Sequence, residues 1–576
     1  MNNSLTSRIP IVIIFFSGLM CCQGVTATTA IESPYLSPKD IVASPNGHRL
    51  YVALHTGQAI AAINIQESRV FHTVALPYMP RALALSQDGH TLIVAGGGVT
   101  GQISLIDTVT GIIKRTLSVG HTPSDLVISP NGKTLYVCLQ FDRDVQVFDL
   151  DSLTLEATIP VSRDPSAMAV SPDGSTLLVT HLSPDGQFAY VTHILARYQI
   201  PTTQLERGWT NTNALSILDV KRQTIVNTVL LDDVDLGAAN PWGLTCSEDG
   251  RLISITLSGT QELCVIDRIA LHDRLNKVAR GEPVTSVALS PNDVPNDLAF
   301  TADIKQRIKL LGNGPRSVAL IKKRAYVAEY FTDSITVLDL TDPSNASMSS
   351  IKLGPDAVIT PVRDGERLFH DATICFQNWQ SCATCHPGAR MDALNWDLLN
   401  DGLGNPKNTK SMLLTHATPP SMVTGVRPNA EAAVRAGIRH ILFSVRPETE
   451  AEAIDAYLKS LTPVPSPYLV QGRLSDSAGR GQAVFKKANC AMCHPAPLYT
   501  DQKQHAVGTG RGREENVAFD TPTLIEAWRN APYLHDGRSA TLKEVLTLYN
   551  TSDKHGHTTD LSDQDINDLT AFLRSL

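Results

Sequence analysis

A four-residue turn recurs through the first half of this chain at nearly constant spacing. It appears as Ser44-Pro45-Asn46-Gly47, Ser86-Gln87-Asp88-Gly89, Ser129-Pro130-Asn131-Gly132, Ser171-Pro172-Asp173-Gly174, Ser247-Glu248-Asp249-Gly250 and Ser290-Pro291-Asn292-Asp293. The starts lie 42, 43, 42, 76 and 43 residues apart. The long gap reads as one repeat plus an insertion of about 34 residues. A short apolar strand precedes the turn, as in Ser124–Ile128. Another follows, as in Thr134–Cys138, and then a third, as in Val145–Asp149. Asn-Gly and Asp-Gly supply the positive φ that a tight hairpin demands. A period of about 40–45 residues with four short strands per repeat builds a β-propeller. Seven blades fit residues 35–345 if a degenerate one is counted near Lys322. The insertion, roughly 183–213, holds His193, Tyr198 and Trp209. Three placements are open for it: over one propeller face, against the second half of the chain, or as a loop of its own.

At 576 residues the chain is too long for one core. Its net charge of −8 argues against nucleic acid as a partner. Arg8, the apolar run Ile11–Phe16 and the small residues Val25-Thr26-Ala27 make residues 1–27 read as a secretory signal. That places the mature protein in the periplasm or at the cell surface, and Cys21 and Cys22 leave lipoprotein processing as the alternative. No later segment reaches the roughly 18 apolar residues of a membrane span.

Two Cys-x-x-Cys-His runs dominate the second half: Cys382-Ala383-Thr384-Cys385-His386 and Cys490-Ala491-Met492-Cys493-His494. This is the attachment signature of haem c, whose vinyl groups take up the two thiols while the histidine reaches the iron. Two haems are expected, bound through Cys382, Cys385, Cys490 and Cys493, with His386 and His494 as the first iron ligands. Of the ten cysteines, Cys138, Cys246, Cys264 and Cys375 lie outside these runs and the signal. A Cys246–Cys264 disulfide and isolated buried thiols are both open for them. Helical periodicity takes over past residue 345. Val434, Ile438 and Ile441 share one face, Ile454, Leu458 and Leu461 another, and Thr462–Pro467 reads as a linker. The two units, 346–462 and 468–576, look like copies. At an offset of 112, Pro420 faces Pro532 and Gly425 faces Gly537.

Two resemblances extend this reading. Arg49-Leu50-Tyr51-Val52-Ala53 and Thr134-Leu135-Tyr136-Val137-Cys138 resemble the YVTN propeller family. Phe519-Asp520-Thr521-Pro522-Thr523-Leu524, Ala531–Arg538 and Arg367-Leu368-Phe369-His370-Asp371 are similar to the di-haem cytochrome c peroxidase and MauG-like family, over about 360–576. The expected fold class is therefore multidomain, β then α: a seven-bladed β-propeller followed by two tandem cytochrome c-like helical domains. The second resemblance implies one electron-transfer haem and one that meets hydrogen peroxide. It also implies a small redox donor of cytochrome or cupredoxin type, or a protein substrate.

The family's second ligand to the C-terminal haem falls at Tyr549, with simple helix packing as its other reading and His555 and His557 as rivals. The same place in the first unit is Gly437 or Ile438, which cannot bind iron, so that haem is expected to be open. His416 and His440 are left as groups that could close it. Glu431 and His416 are the candidate catalytic residues, and a solvated helix-start carboxylate is the other reading of Glu431. An inter-haem calcium is implied at Asn408, Asn530 and Pro532. The family's inter-haem tryptophan is missing at Val423, which leaves Trp379, Trp396 and Trp528 as relays or core aromatics. Two other functions stay open: a di-haem electron carrier without peroxidase activity, and a propeller-based surface interaction protein.

Overall fold

The computed structural model describes residues 34–174, 176–178, 181–199, 210–398 and 405–576. The expected signal segment 1–27 and Trp209 lie outside them.

Six four-stranded antiparallel sheets run consecutively: Pro38–Ala75, Pro80–Val119, Pro123–Pro160, His181–Leu230, Pro241–Lys309 and Pro315–Lys352. Between the third and fourth lies a two-stranded pair, Ala169–Val170 with Leu177–Leu178. The first strands of neighbouring sheets touch in a closed ring, Pro315–Ile321 meeting Pro38–Ala43. The architecture is a β-propeller with six full blades among the described residues, not the seven expected.

The turn chemistry explains both the match and the miscount. In each hairpin the serine hydroxyl donates to the Asx side chain, as from Ser44 Oγ to Asn46 Oδ1 at 2.8 Å, and the glycine stands at positive φ, 71° at Gly47. Ser183-Pro184-Asp185-Gly186 is another such turn, with Ser183 Oγ to Asp185 Oδ1 at 2.6 Å. It opens the fourth blade, so the presumed insertion supplies that blade's long hairpin, Phe188–Ala196 with Asn211–Asp219. The turn at Ser290 begins no blade. It follows helix α1 (Arg268–Ala279) in the excursion between the last two strands of the fifth blade, and Asp293 Oδ2 caps Ser290 there. Lys322 sits in a complete blade.

The helical half contains α2 (Pro361–His370), α3 (Cys382–Cys385), α4 (Ala430–His440), α5 (Glu448–Lys459), α6 (Asp476–Lys487), α7 (Leu542–Leu546) and α8 (Asp563–Ser575). Two clusters form its cores, one around Leu368, Phe369 and Ile454, the other around Phe485, Leu569 and Phe572. The duplication is geometric. Isolated bridges pair Ser421 with Arg427 and Tyr533 with Ser539, and Gly425 and Gly537 stand at φ 61° and 64°. All eight described cysteines are free thiols, so Cys246 and Cys264 form no disulfide.

Candidate haem-binding sites

The first attachment run begins on the short helix α3. Ser381 and Thr384 close a reciprocal cap, Ser381 N donating to Thr384 Oγ1 at 2.9 Å. The propeller braces this cap. Asn240 Nδ2 donates to Ser381 Oγ at 2.7 Å, and Thr384 Oγ1 donates to Asn240 Oδ1 at 2.8 Å. Asn211 Nδ2 donates to Gln380 Oε1 at 2.7 Å and approaches Cys385 Sγ at 3.7 Å. Tyr198 also reaches this side, its ring 6.4 Å from that of Trp396.

Both motif histidines are set alike. His386 Nδ1 donates to the Arg390 carbonyl and His494 Nδ1 to the Tyr499 carbonyl, each at 2.9 Å. Bonding Nδ1–H in this way leaves the Nε2 lone pair for a metal. Burial lowers the pKa of both rings and so favours the neutral form that ligates. Burial raises the thiols, Cys382 to about 12 and Cys490 to about 11. Thiols held neutral suit thioether formation better than a thiolate metal site.

The two units differ in what accompanies these histidines. His555 faces His494 with ring centroids 6.4 Å apart. Two metal–imidazole bonds of about 2 Å each plus two ring half-widths span about that distance. Buried Asn550 holds the loop that carries His555: its Oδ1 accepts from His555 N, and its Nδ2 donates to the carbonyls of His555 and Gly556. Burial, then His494, pushes His555 down to about 4. Tyr549 is engaged elsewhere, its hydroxyl donating to the Arg538 carbonyl at 3.0 Å, and His557 is exposed. In the first unit no ring faces His386 among the described residues. The residues 112 positions before Tyr549 and His555 are Gly437 and Phe443, neither a ligand. A Cβ built on Gly437 meets nothing within 4 Å. His440 is exposed at the end of α4.

A cytochrome c family profile matches residues 478–576. Hydrazine synthase subunit gamma of Kuenenia stuttgartiensis is 30% identical over 272 residues, covering 37% of this chain and 77% of its own. The methylamine utilization protein MauG of Methylophilus methylotrophus is 26% identical over 289 residues, covering 38% and 86%. The chain belongs to the di-haem cytochrome c peroxidase and MauG-like family. Hydrazine synthase subunit beta of Kuenenia stuttgartiensis is also similar, 25% identical over 379 residues, covering 56% of this chain and 92% of its own. As a member of this family, with a propeller in front, the protein is a c-type cytochrome with covalently bound haem and redox function.

The remaining candidates fall into separate networks of this di-haem family protein. His416 Nε2 meets Asp455 Oδ1 at 2.9 Å, while its Nδ1 is buried with no partner. Arg435 binds the other oxygen of Asp455 and also Glu448. Glu431 pairs with Lys459 at 3.0 Å, and that bond chiefly holds its carboxyl below the usual range. Asn408 N donates to the His535 carbonyl at 2.8 Å, and its side chain donates to Asn395. Asn530 Oδ1 is buried without a partner, two residues before Pro532. His535 stacks on Phe519 at 4.2 Å and meets Glu514 at 3.1 Å. Trp379, Trp396 and Trp528 are all buried. The contributions of Asn211, Asn240 and Asn550 were not visible in the sequence, because each acts across a long chain separation or inside a loop without periodicity.

Proposed function

We propose that the protein is an exported oxidoreductase holding two haems c, one closed by two imidazoles and one with an open face. The observation that carries this reading is the facing pair His494 and His555, set against a first unit in which only His386 is so placed. When bound, haem c supplies a one-electron redox centre at each attachment run. His494 and His555 would hold one haem iron, whose one-electron chemistry would suit electron entry. We assign this second position to His555, not Tyr549. His386 would hold the other, and Gly437 and Phe443, at the positions equivalent to Tyr549 and His555, carry no group that could ligate iron. His416, oriented by Asp455, is placed to hold a proton in the first unit; Glu431, tied to Lys459, is a weaker candidate for that role. The oxidant is hydrogen peroxide, and a small redox protein is the donor. Asn530 Oδ1 is the best oxygen donor of the three for a calcium ion.

Electron paramagnetic resonance of the oxidised holoprotein tests the reading. One high-spin and one low-spin ferric signal are expected, with cyanide shifting the high-spin one and peroxide consumed by the reduced protein. Two low-spin signals with no turnover would make the protein an electron carrier.

A second reading is favoured by one observation: the relatives include two subunits, gamma and beta, of one enzyme named hydrazine synthase. On this reading the open site handles a small nitrogen compound of the hydrazine class. Comparing hydrazine and peroxide as reactants of the same holoprotein separates the two.

A further inference from the structure

Five of the six inner strands of the four-stranded blades begin alike, with a proline followed by a bulge. Pro38 pairs with Leu54 and Asp40 with Ala53, so Lys39 is left out of the ladder. Pro80 pairs with Gly96 and Ala82 with Ala95, leaving out Arg81. Pro315 pairs with Glu329 and Ser317 with Ala328, leaving out Arg316. A bulge frees a residue from pairing and re-aims its side chain. In the third blade the same place holds Ser124, and in the fifth Trp242. The sixth, first and second blades are neighbours in the ring, so three cations stand side by side at one level of its inner wall.

These cations have almost no partners among the described residues. Lys39 makes no ion pair or hydrogen bond. The one bond of Arg81 is long, from Nε to the Gly97 carbonyl at 3.4 Å. Arg316 is buried, 6% exposed, with its guanidinium 3.8 Å from the Trp242 ring centroid and no hydrogen bond. The nearby carboxylates are committed. Asp40 accepts from Ser317 Oγ, Leu83 N and Ile41 N, bracing the same three strands. Glu366 pairs with Arg363 at 2.9 Å. Burial is the main force lowering the pKa of Lys39, and Arg81 and Arg316 add to it. His55 and His370 are kept neutral by burial and by the same cations, so neither adds a charge of either sign. Arg316 is buried and Lys39 and Arg81 are half-buried, and unpaired charge of one sign crowded in such a place is costly and calls for a counter-charge.

We propose that Lys39, Arg81 and Arg316 form an anion site on the inner wall of the propeller, suited to a small oxyanion of phosphate size. Arginine edges match the oxygens of such an anion, and the lysine adds a point charge.

Equilibrium dialysis of the full-length holoprotein with labelled inorganic phosphate, in chloride buffer at fixed ionic strength, tests this. Saturable binding of one phosphate per chain, tighter than about 1 mM, is expected. Lys39→Met and Arg81→Gln should each weaken it at least about tenfold, while Lys352→Gln, at an exposed lysine, should leave it unchanged. Without phosphate, Lys39→Met should melt no lower than the wild type, because the substitution relieves repulsion. Absence of saturable binding, equal binding in the variants, or a large fall in the phosphate-free melting temperature of Lys39→Met would each overturn the site.

Discussion

The imidazoles of His494 and His555 face each other at 6.4 Å, and Asn550 fixes the loop that brings the second to the first. If His494 and His555 ligate one iron as proposed, the oxidised holoprotein should show a low-spin ferric signal that His555→Ala converts to a high-spin one. Tyr549→Phe should keep the low-spin signal and cost only about 1 kcal/mol, the worth of its bond to the Arg538 carbonyl. The reverse pattern, with the low-spin signal lost in Tyr549→Phe alone, would return the ligand role to Tyr549.

The two helical units that carry the Cys-x-x-Cys-His runs are joined through a buried ion pair. Arg390 donates to Glu526 at 2.6 and 2.9 Å, and both side chains are almost inaccessible. Glu526 also accepts from Val464 N and lies near Arg529, while Arg390 reaches the Thr462 carbonyl, so the pair clamps the linker between the units. Removing one partner of a buried pair strands the other, at about 3–5 kcal/mol. Arg390→Met should approach that figure in urea unfolding, less whatever Arg529 compensates. The double variant Arg390→Met with Glu526→Met should lose less than the sum of the single losses.

Asp125 should make the stability of the propeller depend on pH. Burial, reinforced by Asp40, pushes its pKa up to about 7, while Met168 N and Leu126 N donate to it. The folded state thus binds the proton more tightly than the unfolded chain, whose carboxyl titrates near the ordinary aspartate value of 3.8. The associated stability is complete below about pH 4 and is lost as pH rises toward 7. The melting temperature of Asp125→Asn should therefore fall less than that of the wild type over this window. Parallel curves would show that Asp125 is not the titrating group.

The propeller was legible because its hairpin chemistry is local: serine, Asx and glycine within four residues fix the turn wherever they occur. The blade count was not legible. Ser290 carries the same local signal without a sheet to join, and Ser183 opens a blade only twelve residues after the Ser171 turn. Which hairpin becomes a blade is decided by pairing with distant strands. The attachment runs were legible for the same local reason, and the offset of 112 foretold the matched bridges at Ser421 and Tyr533. The position of His555 was open because a loop, not a helical register, delivers it. The role of Lys39, Arg81 and Arg316 could not be read at all, since only the closed ring brings three bulges together.

Three of the four helix glycines of the cytochrome half should respond differently to one added methyl. A Cβ on Gly365 would lie 1.8 Å from the Ala453 carbonyl oxygen, and one on Gly481 would lie 1.9 Å from that of Asp568. These are the points where α2 crosses α5 and α6 crosses α8, so backbone, not a flexible side chain, must move. Gly365→Ala and Gly481→Ala should each cost about 1–3 kcal/mol or more and lower the yield of covalently attached haem in their own unit. Gly437 lies inside α4 with open space around its missing Cβ. There the helix gains from alanine, so Gly437→Ala should stabilise the unit by up to about 1 kcal/mol with attachment unchanged. Haem content of the purified variants and their urea midpoints check all three. Equal loss at Gly437 and Gly481 would mean that α4 is packed against something the helix crossings alone do not account for.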